Sequence, residues 1–304
     1  MNFKDRIIRA TGQKTPFRLI AVDLTATMNE IGAFHGAKGY ALKLLAENSI
    51  ASIFLSASLK FPGTVTFSTT FGGEITKIQS DSTPMGLVRA MIPQDELQAI
   101  GANEPALVPQ NISVIKLDEH GKRIHESIIE AAAVSMGQNL AYYLLQSEQT
   151  RSAVGIEARF NASDPSKLDY AAGFYVEAFP DLEEKDIAIL EQIVLNLPKF
   201  PELYKSEGFD LDELLDQLRG PYDIDIVREI DPKAYCPCSH ERMVATLATL
   251  KTADLEDLMK EGRDLEVICD FCRTKYTITV NDLKTIIDER RETRDERNSS
   301  SPSH

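Results

Sequence analysis

"GAKGYALKLLAENSIASIFLSASLKFPGTVTFSTTF", residues 36–71, changes its period part-way, and that change decides the fold class. The first 25 residues, 36–60, read as one long, mostly buried helix. Its most apolar run, Ile50 to Leu59, is ten residues, includes serines and follows Lys43 and Glu47, so it is too short and too polar for a membrane span. From Gly63 the pattern becomes an alternation, with Val65, Phe67, Thr69 and Phe71 on one face, the period of a strand. Gly72 and Gly73 followed by "EITKIQS" signal a hairpin.

Outward from this stretch the same alphabet recurs. "FRLIAVDL" (17–24) reads as a strand, and "ISVIKL" and "RIHESII" flank "DEHGK" (118–122) as a second hairpin. "VSMGQNLAYYLLQSEQ" (134–149) has helical spacing in Leu140, Tyr143 and Leu144. "VGIEARF" (154–160) and "AAGFYVEAF" (171–179) read as strands joined by the polar loop "NASDPSK". Hairpins with helices interposed imply an α+β class and not a doubly wound parallel sheet. The predicted organisation is an N-terminal mixed sheet-and-helix domain over 1–180, a helical linker over 181–233, a small C-terminal zinc-binding domain over 234–290 and a disordered tail over 291–304.

Composition narrows the function classes. At 304 residues and 43% hydrophobic, the chain can bury a sizeable core. A net charge of −14 argues against a nucleic-acid binder, because neutralising phosphates needs a basic surface. The first 18 residues are charged throughout and lack the apolar core of a secretory leader. A cytoplasmic protein with no membrane partner is the expectation. The segment 181–233 holds 15 Asp/Glu against 6 Lys/Arg, and so carries −9 of the −14. It is nonetheless apolar on one side of two amphipathic helices, "LEEKDIAILEQIVLNL" and "DLDELLDQLRG", the second ended by Gly220–Pro221. Such helices either dock with an ordinary solvated face or undock to present the apolar one.

All four cysteines lie near the C-terminus as "CPC" (236–238) and "CDFC" (269–272). Free cysteines scatter along a chain, whereas C-x-C followed thirty residues later by C-x-x-C is the spacing of a four-thiolate tetrahedral zinc site. The metal ligands expected are Cys236, Cys238, Cys269 and Cys272, holding one zinc ion with no open position for catalysis. His240 reads as a surface histidine beside a complete ligand set. A unit of some fifty-five residues is too small to rely on its own core. Zinc-bound thiolates are also the form that oxidants attack. Disulfides within each pair would constrain the unfolded chain by roughly 2 kcal/mol apiece, and a bond across the pairs by ~3–4 kcal/mol. The residues leave three readings open: a static zinc ribbon serving a binding module, a thiol–disulfide oxidoreductase, and a domain that unfolds when oxidised. The oxidoreductase reading is weakened because a strand, "TKYTITV", follows Cys272 where a helix is needed. No arrangement suited to another enzyme class stands out.

"CPCSHERM…VICDFCRTKY" resembles the zinc-binding end of the 33 kDa chaperonin, or heat-shock protein 33, family of redox-regulated holdases. "NLAYYLLQSEQTRSAVGIEARF" (139–160), "AAGFYVEAFP" (171–180) and "AVDLTATMNEIGAFHG" (21–36) are similar to that family's core and N-terminal signatures. The lead into the Tyr-Tyr helix differs: "AAAVSMGQN" stands where family members carry an acidic "SGEIAED"-like segment, and 101–110 contains proline. The resemblance implies a chaperone of the oxidative-stress response and not an enzyme. It implies that oxidation forms Cys236–Cys238 and Cys269–Cys272, expels zinc and unfolds the C-terminal unit. The adjoining linker then loosens, and apolar surface binds unfolded or oxidatively damaged client proteins without ATP. It further implies a homodimer when activated and downstream release to ATP-dependent foldases. Tyr142, Tyr143, Ser147, Glu148 and Gln149 are expected to serve helix packing and turn hydrogen bonds.

Overall fold

The helix expected over 36–60 forms over Gly39–Ala57 (α2), and every residue from Leu45 to Ala57 is buried. A helix apolar or small on all sides must be covered on all sides. In this computed structural model, which describes residues 4–72, 77–93 and 108–299, two sheets close on it. The backbone separates into two units, Met1–Tyr235 and Cys236–His304.

The first sheet of the larger unit is antiparallel in the order β12-β1-β2-β9-β8, comprising Ile224–Ile230, Arg6–Gly12, Phe17–Asp23, Leu168–Ala178 and Ser152–Phe160. The second has the order β13-β5-β4-β3-β6-β7, comprising Lys233–Ala234, Leu87–Met91, Lys77–Ser82, Gly63–Phe71, Pro109–Asp118 and Arg123–Glu130. Its strands are antiparallel except for the short parallel pair β13–β5. Both hairpins read from sequence are therefore present. The turn residues 73–76 and the stretch 101–107 lie outside the described residues.

Alternation places one core on each face of the first sheet. Ile20, Val22, Ala171 and Tyr175 point toward α2, where Leu42, Leu45, Ile50, Ile53 and Phe54 meet Phe67, Ile78 and Val114 of the second sheet. Fully burying each such side chain stabilises by about 1.5–3 kcal/mol. Against the second sheet α2 turns a polar seam, which is satisfied: Asn48 Nδ2 donates to Phe67 O (3.1 Å) and Ser80 Oγ (2.9 Å), and Thr69 Oγ1 donates to Asn48 Oδ1 (2.8 Å). Phe17, Leu19, Tyr170, Phe174 and Val176 face the other way, onto a second core.

That second core is built by 181–233. Helices Glu184–Leu195 (α4) and Leu211–Arg219 (α6), with the short Phe200–Leu203 (α5) and the two-residue ribbon Tyr204–Lys205 (β10) and Gly208–Phe209 (β11), lay Leu190, Leu203, Phe209, Leu211, Leu214, Leu215 and Leu218 on the sheet. Asp210 caps α6 by accepting from Glu213 N (2.9 Å), and Gly220 ends it at φ 53°, where a side chain would be strained. The segment also supplies β12 to the sheet edge and β13 to the other sheet, strands that the helical reading did not contain. Their signal is weak: a bulge interrupts "IDIVREI", and one residue of the seven is buried.

Other elements escaped the sequence as well, β1 and the helix after β2 among them. β1 lies in "RIIRATG", whose charges hide Ile7, Ile8 and Ala10, all buried. Helix Thr25–His35 (α1) follows β2 directly, and its first amides are taken by carboxylates. Asp5 accepts from Ala26 N (2.8 Å) and Thr27 N (2.6 Å), and Asp23 accepts from Thr25 N (2.9 Å). Burial, with Asp5 alongside, raises the Asp23 carboxyl to about 7 against the hydrogen bonds from Thr25. Helix Met136–Ser147 (α3) carries the Tyr-Tyr pair. Tyr143 Oη donates to Glu148 Oε1 (3.0 Å), Lys116 pairs with the same oxygen at 2.6 Å, Ser147 Oγ meets Ser127 Oγ at 2.8 Å, and Gln149 turns at φ 53°. These are packing and turn contacts. Among the described residues no helix is long and apolar enough to cross a membrane.

The smaller unit comprises helices His240–Leu247 (α7), Thr252–Lys260 (α8) and Val280–Ser299 (α9) with the hairpin Leu265–Ile268 (β14) and Lys275–Ile278 (β15). Its core is five buried residues, Leu255, Ile278, Leu283, Ile286 and Ile287. Helix α9 continues to Ser299, so 291–299, expected as disordered tail, is helical. "DERRETRDER" is charged but rich in Glu and Arg, which are good helix formers, and α9 is already nucleated upstream.

Candidate metal centre

The two cysteine pairs reach one point because each sits at the mouth of a regular element. Cys236 and Cys238 end an extended segment, and Ser239 then starts α7, its Oγ accepting from Arg242 N at 3.3 Å. That half of a capping box stops the chain turning helical one residue earlier. Lys251 stands at the N-cap of α8, with no side-chain cap.

Cys269 and Cys272 occupy the turn of the β14–β15 hairpin. Cys269 N donates to Thr274 O (2.9 Å), and Arg273 N donates back to Cys269 O (2.9 Å). Arg273 takes φ 60°, a left-handed step that swings Cys272 back toward Cys269.

The four Sγ atoms lie within 4.8 Å of one another. The close contacts run across the pairs: Cys236 Sγ to Cys269 Sγ is 3.6 Å, and Cys238 Sγ to Cys272 Sγ is 3.2 Å. Four sulfurs at the ~2.3 Å zinc–sulfur distance stand about 3.8 Å apart in a tetrahedron, so the cluster has the size and donor set of a four-thiolate site. The arrangement can hold a metal ion.

The sulfurs differ in acidity. Burial pushes the Cys236 thiol up to about 12, and burial also raises Cys238 despite a hydrogen bond from Tyr276 Oη at 3.0 Å. Cys272 goes the other way. Burial acts upward on it too, but hydrogen bonds from the Thr274 hydroxyl and backbone outweigh that and bring it to about 7. Cys272 is thus the sulfur best prepared to be a thiolate.

His240 Nε2 lies 3.5 Å from Asp282 and stands outside the sulfur cluster. Tyr276 and Thr274, which touch the sulfurs, were invisible as such in the sequence. Tyr276 announced itself only as an alternating strand residue, and no spacing rule marks a hydroxyl partner.

The larger unit carries an apolar groove of about 490 Å³ between α3 and α4, floored by β8 and β9. Tyr142, Leu145, Ile187 and Val194 line it, and Leu145 is 52% exposed.

A family model described as "Hsp33 protein" matches residues 5–279 of this chain. The 33 kDa chaperonin of Desulfotalea psychrophila is 31% identical over 279 residues, 88% of this chain and 92% of that protein. That of Streptococcus gordonii is 28% identical over 290 residues, 93% of this chain and 98% of the other. The crystal structure of the Thermotoga maritima 33 kDa chaperonin (heat shock protein 33 homolog) has the same fold, with a TM-score of 0.78 at 21% identity, covering 95% of this chain and all of that one.

Proposed function

Because the chain belongs to the Hsp33 protein family, we propose that it is a redox-regulated, ATP-independent holdase chaperone of the cytoplasm, with its cysteine unit as the switch. The observation that carries this reading is the convergence of all four cysteines on one point inside a unit whose described residues form a core of five buried side chains. Cys236, Cys238, Cys269 and Cys272 hold one zinc ion in the reduced protein. Bound zinc supplies a clamp between two distant parts of the chain and keeps the sulfurs as thiolates. In small domains such binding contributes on the order of 10–16 kcal/mol.

The residues of the chain do the rest. Oxidation joins Cys236 to Cys238 and Cys269 to Cys272. Each bond passes the two electrons of a thiolate pair to an oxidant such as hydrogen peroxide, which takes up two protons from solvent and leaves as two waters. The 3.6 and 3.2 Å contacts across the pairs are what the clamp holds, and bonds within pairs abandon them. Two short loops cannot replace one global cross-link, and the unit unfolds.

Its loss reaches the larger unit through the chain itself. Tyr235 N donates to Val88 O at 2.9 Å, and Cys236 is the next residue. Upstream, 181–233 rests on the first sheet with Leu190 as the buried residue of α4. Loosening it uncovers Phe17, Leu19, Phe174 and the groove beside α3, apolar surface for unfolded clients. The active form is a homodimer that hands its clients to ATP-dependent foldases.

One oxidant titration tests this. Zinc release, thiol count and client light scattering are followed together, with peptide mapping of the disulfides. Loss of four thiols, release of one zinc and onset of aggregation suppression should coincide. Oxidised, zinc-free protein that scatters like the no-chaperone control sinks the reading and leaves a static site.

A further inference from the structure

Strand β12 is a poor fit to the edge it covers. Of its residues only Ile230 is buried, while Ile226 and Val227 are 56% and 60% exposed. Arg228 stands directly opposite Arg9, and like charges across a strand pair are destabilising. Arg9 Nε is buried without a hydrogen-bond partner among the described residues, and the register slips at Arg9/Ala10. Arg228 reaches Met85 Sδ (2.8 Å) and not a carboxylate.

The rim contacts are ion pairs open to water, Lys4–Asp231 (2.5 Å) and Arg6–Glu229 (3.4 Å), of the kind worth at most about 1 kcal/mol. Beyond β12 the chain is held by Lys233 N to Gly86 O and Tyr235 N to Val88 O, both 2.9 Å, and then reaches Cys236.

The strand underneath is the opposite. β1 buries Ile7, Ile8 and Ala10, and pairs with β2 from Arg6 to Thr11. If β12 peels away, β1 remains in place with a row of unpaired backbone groups, which is a template for another strand.

We propose that the edge of β1 is a strand-addition site, covered in the resting protein by β12 and taken in the activated one by an extended, unfolded segment of a client. This rests on the holdase reading above and names the surface and the mode of capture. Strand addition draws its affinity from main-chain hydrogen bonds, which every polypeptide offers. The seated strap shows how little the edge asks of side chains: one buried apolar residue, and carboxylates near Arg6 and Gln13, supplied here by Glu229 and Asp225. A segment with a carboxylate opposite Arg9 satisfies the edge better than the strap does. Sequence tolerance of this kind suits a protein that must hold many clients.

The test uses the full chain and residue-resolved hydrogen exchange. After oxidation and zinc loss, the β1 amides that bond to β12 should exchange about 100-fold faster, while those that bond to β2 stay protected. Adding a permanently unfolded, carboxymethylated protein should restore them. In parallel, a fluorescent peptide of residues 222–231 should bind the oxidised chain and compete with that protein. Methylating the peptide's backbone nitrogens that face β1 should weaken it about tenfold, and Arg228→Glu in the peptide should tighten it about fivefold.

The proposal is overturned if the oxidised chain suppresses aggregation while the β12-facing amides stay protected, or if N-methylation changes nothing; the holdase reading then stands with clients elsewhere. If aggregation is not suppressed, the holdase reading fails, and peptide binding with its N-methyl sensitivity still decides whether the edge accepts a strand.

Discussion

Helix α2 and the cysteine unit sit in one chain under contrasting kinds of constraint. The helix is buried from Leu45 to Ala57 because two sheets close on it, and removing any one contact leaves many. Among its described residues the cysteine unit gathers a core of five buried side chains with half-buried neighbours, and four sulfurs lie within 4.8 Å of one another. Stability spread over a core is lost a little at a time. Stability concentrated in one coordination point is lost at once when that point changes chemistry. Between the two lies 181–235, which has the helices of a core element and the loosely seated edge strand of a removable one.

The largest effect that can break this contrast is metal removal. Chelation of the reduced chain, or Cys236→Ser, is expected to abolish protection across 236–299 while α2 amides keep theirs, with about 10 kcal/mol or more at stake in the smaller unit. Hydrogen exchange reads this directly, and melting of α2 together with the cysteine unit would end the comparison.

Next, Leu45→Ala leaves a cavity between the sheets and is expected to cost about 2–5 kcal/mol in the larger unit. The zinc content of the purified protein should not change. Denaturant unfolding and metal analysis of the same sample measure both.

Acid and base should divide the two regions by sign. Asp23 is raised from 3.8 to about 7 by burial, so between those values the folded chain holds a proton that the unfolded chain has shed. Stability of the larger unit therefore falls as pH rises through this window, by up to about 1.4 kcal/mol per pH unit, and Asp23→Asn should flatten the slope. The cysteine unit should do the reverse, since protons compete with zinc for thiolates as pH falls. Melting curves with and without chelator at pH 5 to about 7.5 separate the two.

Smallest is Tyr276→Phe, which removes the hydroxyl that donates to Cys238 Sγ. Zinc affinity should drop by roughly 10- to 100-fold with the fold intact, as chelator competition would show. An unchanged affinity would place Tyr276 outside the metal's influence.

Much of this was legible in the residues. The shift from helical to strand period near residue 60, the second hairpin around "DEHGK" and the knuckle "CDFC" each carry their own local signal. β1 was missed because Arg6 and Arg9 interrupt an apolar run that is buried by neighbours far along the chain. α1 was missed because the two carboxylates on its first amides come from Asp5, before β1, and Asp23, at the end of β2. β12 was missed because a strand held by backbone bonds has no side-chain period to show.

What the sequence determined by itself is the helix buried on all sides, the hairpins and the two close pairs of thiols, since each is written in residue type and spacing over a short span. Only the tertiary structure decided that 224–230 covers β1, that Tyr276 leans on Cys238 and that the short sulfur contacts cross the pairs. Those are contacts between residues 33 to more than 200 positions apart. Their energies depend on distance in space, which local periodicity does not encode.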